Sequence, residues 1–263
     1  MHLDFAGKTA LVTGSDRNTG AVIANRLAAS GASVIRHSND CNGRAAATAR
    51  DLDTDLCVEG DIATEAGSEA VLAQLHALDV TVDILVNNYG TASFGKWDSA
   101  TTGDWLDMYQ QNVLSVARLV QGIVPTMKRQ QWGRIVNLGT IGSHRPGKVM
   151  PHYYAAKGAL ATLGVSLAQE LSGSGITVNT VSPGLIHTPD LEAGYRERAR
   201  KKGWGEDWGE IVGHIVAEEF PNPCQRLATR EEVADLVIFL CSDNAGFING
   251  QNIRIDGGAV AYV

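Results

Sequence analysis

Lys8-Thr9-Ala10-Leu11-Val12-Thr13-Gly14 is a short apolar run ending in a glycine, and the residues after it decide the fold. Ser15-Asp16-Arg17-Asn18-Thr19-Gly20 leads into a helical pattern, Ala21-Val22-Ile23-Ala24-Asn25-Arg26-Leu27-Ala28, which Gly31 stops. Ala32-Ser33-Val34-Ile35-Arg36 then reads as a second strand. Strand, helix and strand of these lengths make a β-α-β unit, the basis of a parallel sheet. A glycine turn at that corner lets backbone N–H groups approach a diphosphate at a helix N-terminus. The strict G-x-G-x-x-G spacing is absent, and many α/β folds turn a corner this way, so the turn alone decides little.

The alternation continues. Strands are expected at Leu56-Cys57-Val58-Glu59, Val82 to Val86, Arg134 to Leu138, Ile176 to Val181 and Asn252 to Asp256. Helices are expected over 64–78, 102–130, about 153–171 and 231–241, and a polar insert over about 186–225. The reading is one α/β domain over 1–263, a doubly wound, Rossmann-type sheet of seven parallel strands with helices on both faces. Ligands on such sheets sit beyond the C-terminal ends of the strands. Gly14, Asp61, Asn87-Asn88-Tyr89-Gly90, Gly139-Thr140 and Pro183-Gly184 all fall at such ends.

Tyr153-Tyr154-Ala155-Ala156-Lys157 carries the chemistry. Residues four apart share a helix face, so a phenol and an ammonium stand side by side. They ordinarily titrate near ~10 and ~10.4, and a neighbouring cation favours phenolate. Lys157 is therefore expected to lower the pKa of Tyr153 and make it a proton donor or acceptor nearer neutrality. Taken alone, a Tyr and a Lys at this spacing are a packing pair and a solvated charge.

Together these stretches resemble the short-chain dehydrogenase/reductase family over nearly the whole chain. The family's T-G-x-x-x-G-x-G stands as Thr13 to Gly20, its N-N-A-G as Asn87 to Gly90, and its active-site asparagine as Asn112. Its Y-x-x-x-K is Tyr153 and Lys157, and its N-x-V-x-P-G-x-x-x-T is Asn179 to Thr188. The resemblance implies hydride transfer between a nicotinamide and a ketone or secondary alcohol, with carbonyl reduction as the expected direction. Tyr153 is implied as proton donor, Lys157 as its partner and ribose contact, and Asn112 as holder of a relay water. The catalytic serine of the family falls on Thr140, with Ser143 as runner-up hydroxyl. Cofactor contacts are implied at Gly14, Ser15, Arg17, Asn18, Thr19, Gly20, Asn88, Tyr89, Gly90, Pro183, Gly184, Ile186 and Thr188. Asp61 matches an adenine contact, with Ile62 beside it.

Two further departures stand out. Asn18 replaces the middle glycine, and asparagine tolerates positive φ. Tyr89 replaces the small alanine and puts an aromatic ring near the cofactor. The end of the second strand, Arg36-His37-Ser38-Asn39, lacks the carboxylate that binds a ribose 2′-hydroxyl in NAD enzymes. Arg17 and His37 are expected to meet a 2′-phosphate, with Ser38 and Asn39 as donors, so NADP is favoured. Asp40 keeps NAD as the alternative.

The substrate is expected between Thr91 to Trp97, Ile141 to His152 and the insert, a lid with candidate contacts at Trp97, His144, Arg145, His152, His187, Trp204 and Trp208. The charged run Arg196 to Lys202 is the one candidate patch for an acidic carrier, which a 3-oxoacyl-thioester reductase needs. Enoyl reduction fits less well, because that branch spaces Tyr and Lys more widely. Thr140 and Asn18 also leave open a non-catalytic, cofactor-binding regulator.

A net charge of −7 without a basic stripe argues against nucleic acid. No apolar run approaches the ~18 residues of a membrane span, and Met1 to Lys8 has no signal-peptide pattern. Cys41, Cys57, Cys224 and Cys241 lack metal-site spacing and read as reduced thiols of a cytoplasmic protein with no metal centre. The family resemblance also implies a homotetramer built on the helices near 102–130 and 153–171.

Overall fold

The structure, a computed structural model, describes residues 3–40 and 56–261. Seven strands form one sheet: β1 (Thr9–Val12), β2 (Ser33–Ser38), β3 (Leu56–Glu59), β4 (Ile84–Asn87), β5 (Gly133–Leu138), β6 (Ile176–Pro183) and β7 (Asn252–Ile255). They lie in the order β3-β2-β1-β4-β5-β6-β7, every pair parallel. From β1 the chain steps outward to β2 and β3, then returns to pair β4 on the other side of β1. That reversal leaves a crevice beyond the ends of β1 and β4, where a doubly wound sheet takes its ligand.

The inner strands are buried on both faces, while the edge strands β3 and β7 are partly open, and the pleat sends alternate side chains to two cores. Val12, Ile84, Val136 and Val181 pack with Ile23 and Leu27 of α1 (Asn18–Ala29) and Val237 of α8 (Arg230–Cys241). Leu11, Leu85, Ile135 and Val178 face the other way, onto Val71 of α2 (Glu65–Ala77), Leu119 of α4 (Ser115–Gln130) and Leu160 of α5 (Pro151–Glu170). Side chains two apart on a strand thus share a layer, which is why the apolar runs read as continuous.

The expected helix over 102–130 is one rod with a fault in it. α3 (Thr102–Tyr109) opens with a capping box from Thr101 and Asp104, passes through a π turn at Gln110–Leu114, and continues as α4. The expected polar insert is ordered: α6 (Pro189–Lys202), α7 (Trp208–His214) and a π turn at Ile215–Glu219. Ala199, Trp204, Ile211, Ile215 and Leu227 give it a small core of its own.

One expectation about the thiols is corrected. Cys57 is disulfide-bonded, whereas Cys224 and Cys241 are free; Cys41 lies outside the described residues. Among the described residues, no helix is long and apolar enough to cross a membrane.

Leu119 is fully buried at the centre of the second core. Leu119→Ala should destabilise the protein by about 2–5 kcal/mol. In a urea titration the midpoint falls with an unchanged slope; a shift below ~1 kcal/mol would mean that α4 does not hold that layer.

Candidate functional site

The crevice is built around Gly14, which turns the chain out of β1 at φ +58°. Thr13 Oγ1 accepts from the backbone N–H groups of Asn88 and Tyr89 at 3.0 and 2.9 Å. The Asn88 amide donates to the carbonyls of Thr13 and Gly14 at 3.0 and 2.9 Å. The strand ends on the two sides of the reversal are thereby welded together. Gly20 lets α1 close on this joint, since a Cβ there would lie 2.3 Å from Gly14 O and 2.4 Å from Asn88 Nδ2. Asn18 adopts φ +49°, the conformation its amide side chain tolerates.

A cleft of about 580 Å³ opens over this turn, lined by Gly14, Asp16, Arg17, Asn18, Thr19, Gly20, Ser38, Asn39, Asp40 and Asn88 to Thr91. It runs from the N-terminus of α1 to the end of β2, as a dinucleotide's diphosphate and adenosine require. Pro183, Gly184, Ile186 and Thr188 lie at the end of β6. Pro183 is its last residue, Gly184 fits against Phe220, and Ile186 bridges to Ala228. Thr188 caps α6 by accepting from Leu191 N at 3.1 Å.

Three of the expected cofactor residues, His37, Ser15 and Ile62, turn their side chains away from this cleft. His37 is fully buried; its Nδ1 accepts from Gly14 N–H at 3.1 Å, so Nε2 carries the proton and meets Gly60 O at 2.8 Å. Burial holds its pKa below the usual histidine value, so a neutral ring braces the glycine turn and offers no cation to a phosphate. Ser15 is also fully buried: its hydroxyl donates to Val12 O at 2.8 Å and accepts from His37 N at 3.2 Å, and its N–H donates to His37 O. Its groups stitch β1 to β2. The Ile62 side chain belongs to the second core. Arg17 is left as the cation lining the cleft, exposed and, among the described residues, without an ion-pair partner.

At the adenosine end Tyr89 donates to Asp61 Oδ1 at 3.1 Å, hydrogen-bonds the Asn39 side chain and lies edge-on to His37 at 5.9 Å. Burial and the Asp61 carboxylate push this phenol up to about 12. The ends of β2, β3 and β4 thus meet on one ring.

The second half of the site stands on α5. Lys157 is buried and its ammonium donates to Leu138 O at 2.7 Å; burial lowers its pKa to about 8. Its Nζ lies 6.0 Å from the Tyr153 ring centre. The expected lowering of the Tyr153 pKa by Lys157 is corrected. Burial dominates and, with Tyr154 beside it, raises the phenol to about 12, opposed by a hydrogen bond with the Thr140 side chain. Thr140 Oγ1 also accepts from Gly142 N–H at 3.2 Å. Ser143 donates its hydroxyl to Thr140 O at 2.8 Å and so serves the loop.

Asn112 sits in the π turn, which such one-turn faults often mark as functional. Its amide donates to Thr91 O and Met108 O, both at 3.0 Å, while Oδ1 is buried and, among the described residues, without a hydrogen-bond partner. A Cβ on Gly90 would lie 2.6 Å from that oxygen and 3.3 Å from Lys157 Nζ. Glycine at 90 therefore keeps a space into which a donor-hungry acceptor and an ammonium both face. A hydroxyl or water fits both groups.

The substrate-side candidates divide. His152 is buried, with Nε2 3.1 Å from Ser93 Oγ, and holds the 91–97 loop to α5. His144 meets Asn252, and Arg145 donates to Ala259 O. His187 stacks on Trp208, and Trp204 is buried in the core of the insert. Trp97 stays exposed. A contact that no short motif marks joins the two halves: Asn18 Nδ2 donates to Asp190 Oδ2 at 2.9 Å, from glycine turn to α6.

A protein family described as enoyl-(acyl carrier protein) reductase matches residues 14–260. The 3-oxoacyl-[acyl-carrier-protein] reductase of Escherichia coli (strain K12) is 33% identical over 97% of this chain and 98% of its own. A solved L-sorbose reductase from Gluconobacter frateurii, in complex with NADPH and L-sorbose, superposes with a TM-score of 0.93 at 32% identity over 100% of both chains. A solved 3-oxoacyl (acyl-carrier-protein) reductase from Agrobacterium tumefaciens with NADP bound gives 0.86 at 31% identity, covering 97% of this chain and 95% of that one.

Gly20→Ala tests the joint. The methyl group has only backbone and the Asn88 amide to displace, so overpacking should cost about 1–3 kcal/mol in a denaturant titration, with dinucleotide binding lost in a fluorescence titration. Retention of both at the wild-type level would show that the turn relaxes freely.

Proposed function

Because the chain belongs to the short-chain dehydrogenase/reductase family, we propose that it reduces a small ketone to a secondary alcohol with NADPH. The carrying observation is the meeting of Tyr153, Lys157 and Thr140 on one side of the crevice, with the glycine cradle on the other. NADPH supplies the hydride from its nicotinamide. The cradle of Gly14, Asn18, Thr19 and Gly20 suits its diphosphate, and Arg17 suits its 2′-phosphate. The NADP-bound relatives support that choice over NAD.

In this reading Tyr153 is the acid. A phenol raised to about 12 is fully protonated at neutral pH and stands ready to give its proton to the alkoxide oxygen that forms as hydride arrives. Thr140, already hydrogen-bonded to the phenol, donates to the same oxygen where negative charge grows. Lys157 remains largely an ammonium below about 8 and stabilises the phenolate that Tyr153 leaves behind. Asn112 Oδ1 and Lys157 Nζ together hold the hydroxyl or water that returns a proton.

Reduction of a 3-oxoacyl thioester is the second reading, supported by the relatives that carry that name. The charges of the insert favour the small ketone. Arg196 pairs with Glu192, Arg198 with Glu219, Lys201 with Glu197, and Lys202 with Glu218 and Glu219. Four of the five cations in the one candidate docking patch for an acidic carrier are thus paired by neighbouring carboxylates, which leaves Arg200 as its free cation among the described residues. The likeness to L-sorbose reductase points to polyhydroxylated ketones as the first class to assay. A homotetramer completes the proposal, and exposed Leu106 and Tyr109 of α3 and Val165 of α5 offer the apolar faces it needs.

Tyr153→Phe should lower kcat by about 10²–10⁴-fold while NADPH still binds, measured by steady-state absorbance over a panel of ketones with NADPH and NADH. Undiminished turnover would remove the mechanism. Thr140→Ala should cost about 10²–10³-fold and Ser143→Ala much less; the reverse order would move the oxyanion donor to Ser143.

The pH dependence has a definite sign. A lysine of lowered pKa loses its proton as pH rises through about 8, and the nascent phenolate then loses its cation. Measured from about pH 6 to about pH 10, kcat/KM for reduction should be level near neutrality and fall toward tenfold per unit above about 8. A profile flat to pH 10 would show that Lys157 is not the titrating group.

A further inference from the structure

Asn18 does two things at one position. Its backbone supplies the positive φ that the glycine turn needs, which glycine would supply equally well. Its side chain then reaches Asp190, 172 residues away in sequence, with an N–H···O distance of 2.9 Å. Asn18 lines the dinucleotide cleft, and Asp190 is the second residue of α6, the first helix of the insert.

The insert moves as a unit if it moves at all. Trp204, Ile211 and Ile215 give it a core, Lys202 lies over the Trp204 ring, and the ion pairs of α6 are made within it. Its two ends meet at the Ile186–Ala228 bridge just beyond β6, and Thr188 caps α6 close by. The Asn18 contact ties the start of this unit across to the glycine turn.

Electrostatics say what the tie is for. A carboxylate is a poor ligand for a diphosphate, because like charges repel. Asp190 therefore does not itself hold the cofactor, and the Asn18 amide stands between it and the turn. A neutral donor there lets an acidic helix start approach an anion site.

We propose that Asn18 and Asp190 form a strap that closes α6 over the dinucleotide cleft and sets the rate at which the cofactor leaves. The pair are positioning residues, and the proposal rests on the nicotinamide-cofactor reading above.

The test is NADPH release from the full-length protein, followed by stopped-flow fluorescence after a chase with excess NADP. Asn18→Gly keeps the turn and removes only the amide; Asp190→Ala removes the acceptor. Each should speed release by about two- to tenfold, the range for one hydrogen bond. The double variant should be no faster than either single variant, because both remove the same contact. Asp190→Asn keeps an acceptor oxygen and should restore slow release. The KM for NADPH should rise in the single variants while that for the ketone stays level. Release at the wild-type rate in both single variants, or effects that add in the double variant, would overturn the strap. A wild-type protein that gives no NADPH signal would instead overturn the cofactor reading, a separate result.

Discussion

A buried ammonium organises the catalytic half of this molecule. Lys157 is almost wholly enclosed, and one protein acceptor, Leu138 O, takes its charge at 2.7 Å. Burying a cation with so little compensation is costly, and the lowering of its pKa to about 8 records that cost. The surroundings are shaped to relieve it. Gly90 leaves out a side chain, and the π turn points the Asn112 carbonyl oxygen at the same space.

The same economy of polar groups explains the cofactor half. His37 and Ser15 sit where a ligand contact is expected, yet both are consumed in joining β1 to β2. Buried polar groups must find partners, and a strand covered on both faces has no solvent to supply them. The glycine turn is consequently held from beneath by an imidazole and from the side by Asn88. Its N–H-rich rim is left for an anion.

The parts of this arrangement that were legible in the sequence were those with a short-range cause. Apolar runs closed by glycines mark β1, β4 and β6, and a spacing of four puts Tyr153 and Lys157 on one helix face. The positive φ at Asn18 was foreseeable from its residue type. What escaped notice depends on distance or depth. Arg36 and His37 are both buried, because β2 is interior and the polar–apolar alternation no longer reports exposure. The π turn adds one residue to a hydrogen-bonded ring and leaves no mark in residue type. The relative strength of burial and a neighbouring charge at Tyr153 needed coordinates. The insert read as a polar segment because its charges are bunched in one run, Arg196 to Lys202, while Trp204, Ile211 and Ile215, which build its core, come later in the chain.

That insert gives the last constraint on what the site accepts. Four of its five cations, Arg196, Arg198, Lys201 and Lys202, are matched within the same segment by Glu192, Glu197, Glu218 and Glu219. Surface pairs of this kind contribute little to stability, so their arrangement matters more for the field they cancel. An uncompensated basic helix beside the crevice would steer anionic partners over distances of a Debye length. The largely paired helix, with Arg200 as its one unmatched cation among the described residues, exerts much less of that pull. Selection of substrate then falls to short-range contacts around Tyr153 and Thr140, which suits a neutral ketone whose hydroxyl groups need donors and acceptors at hydrogen-bonding distance.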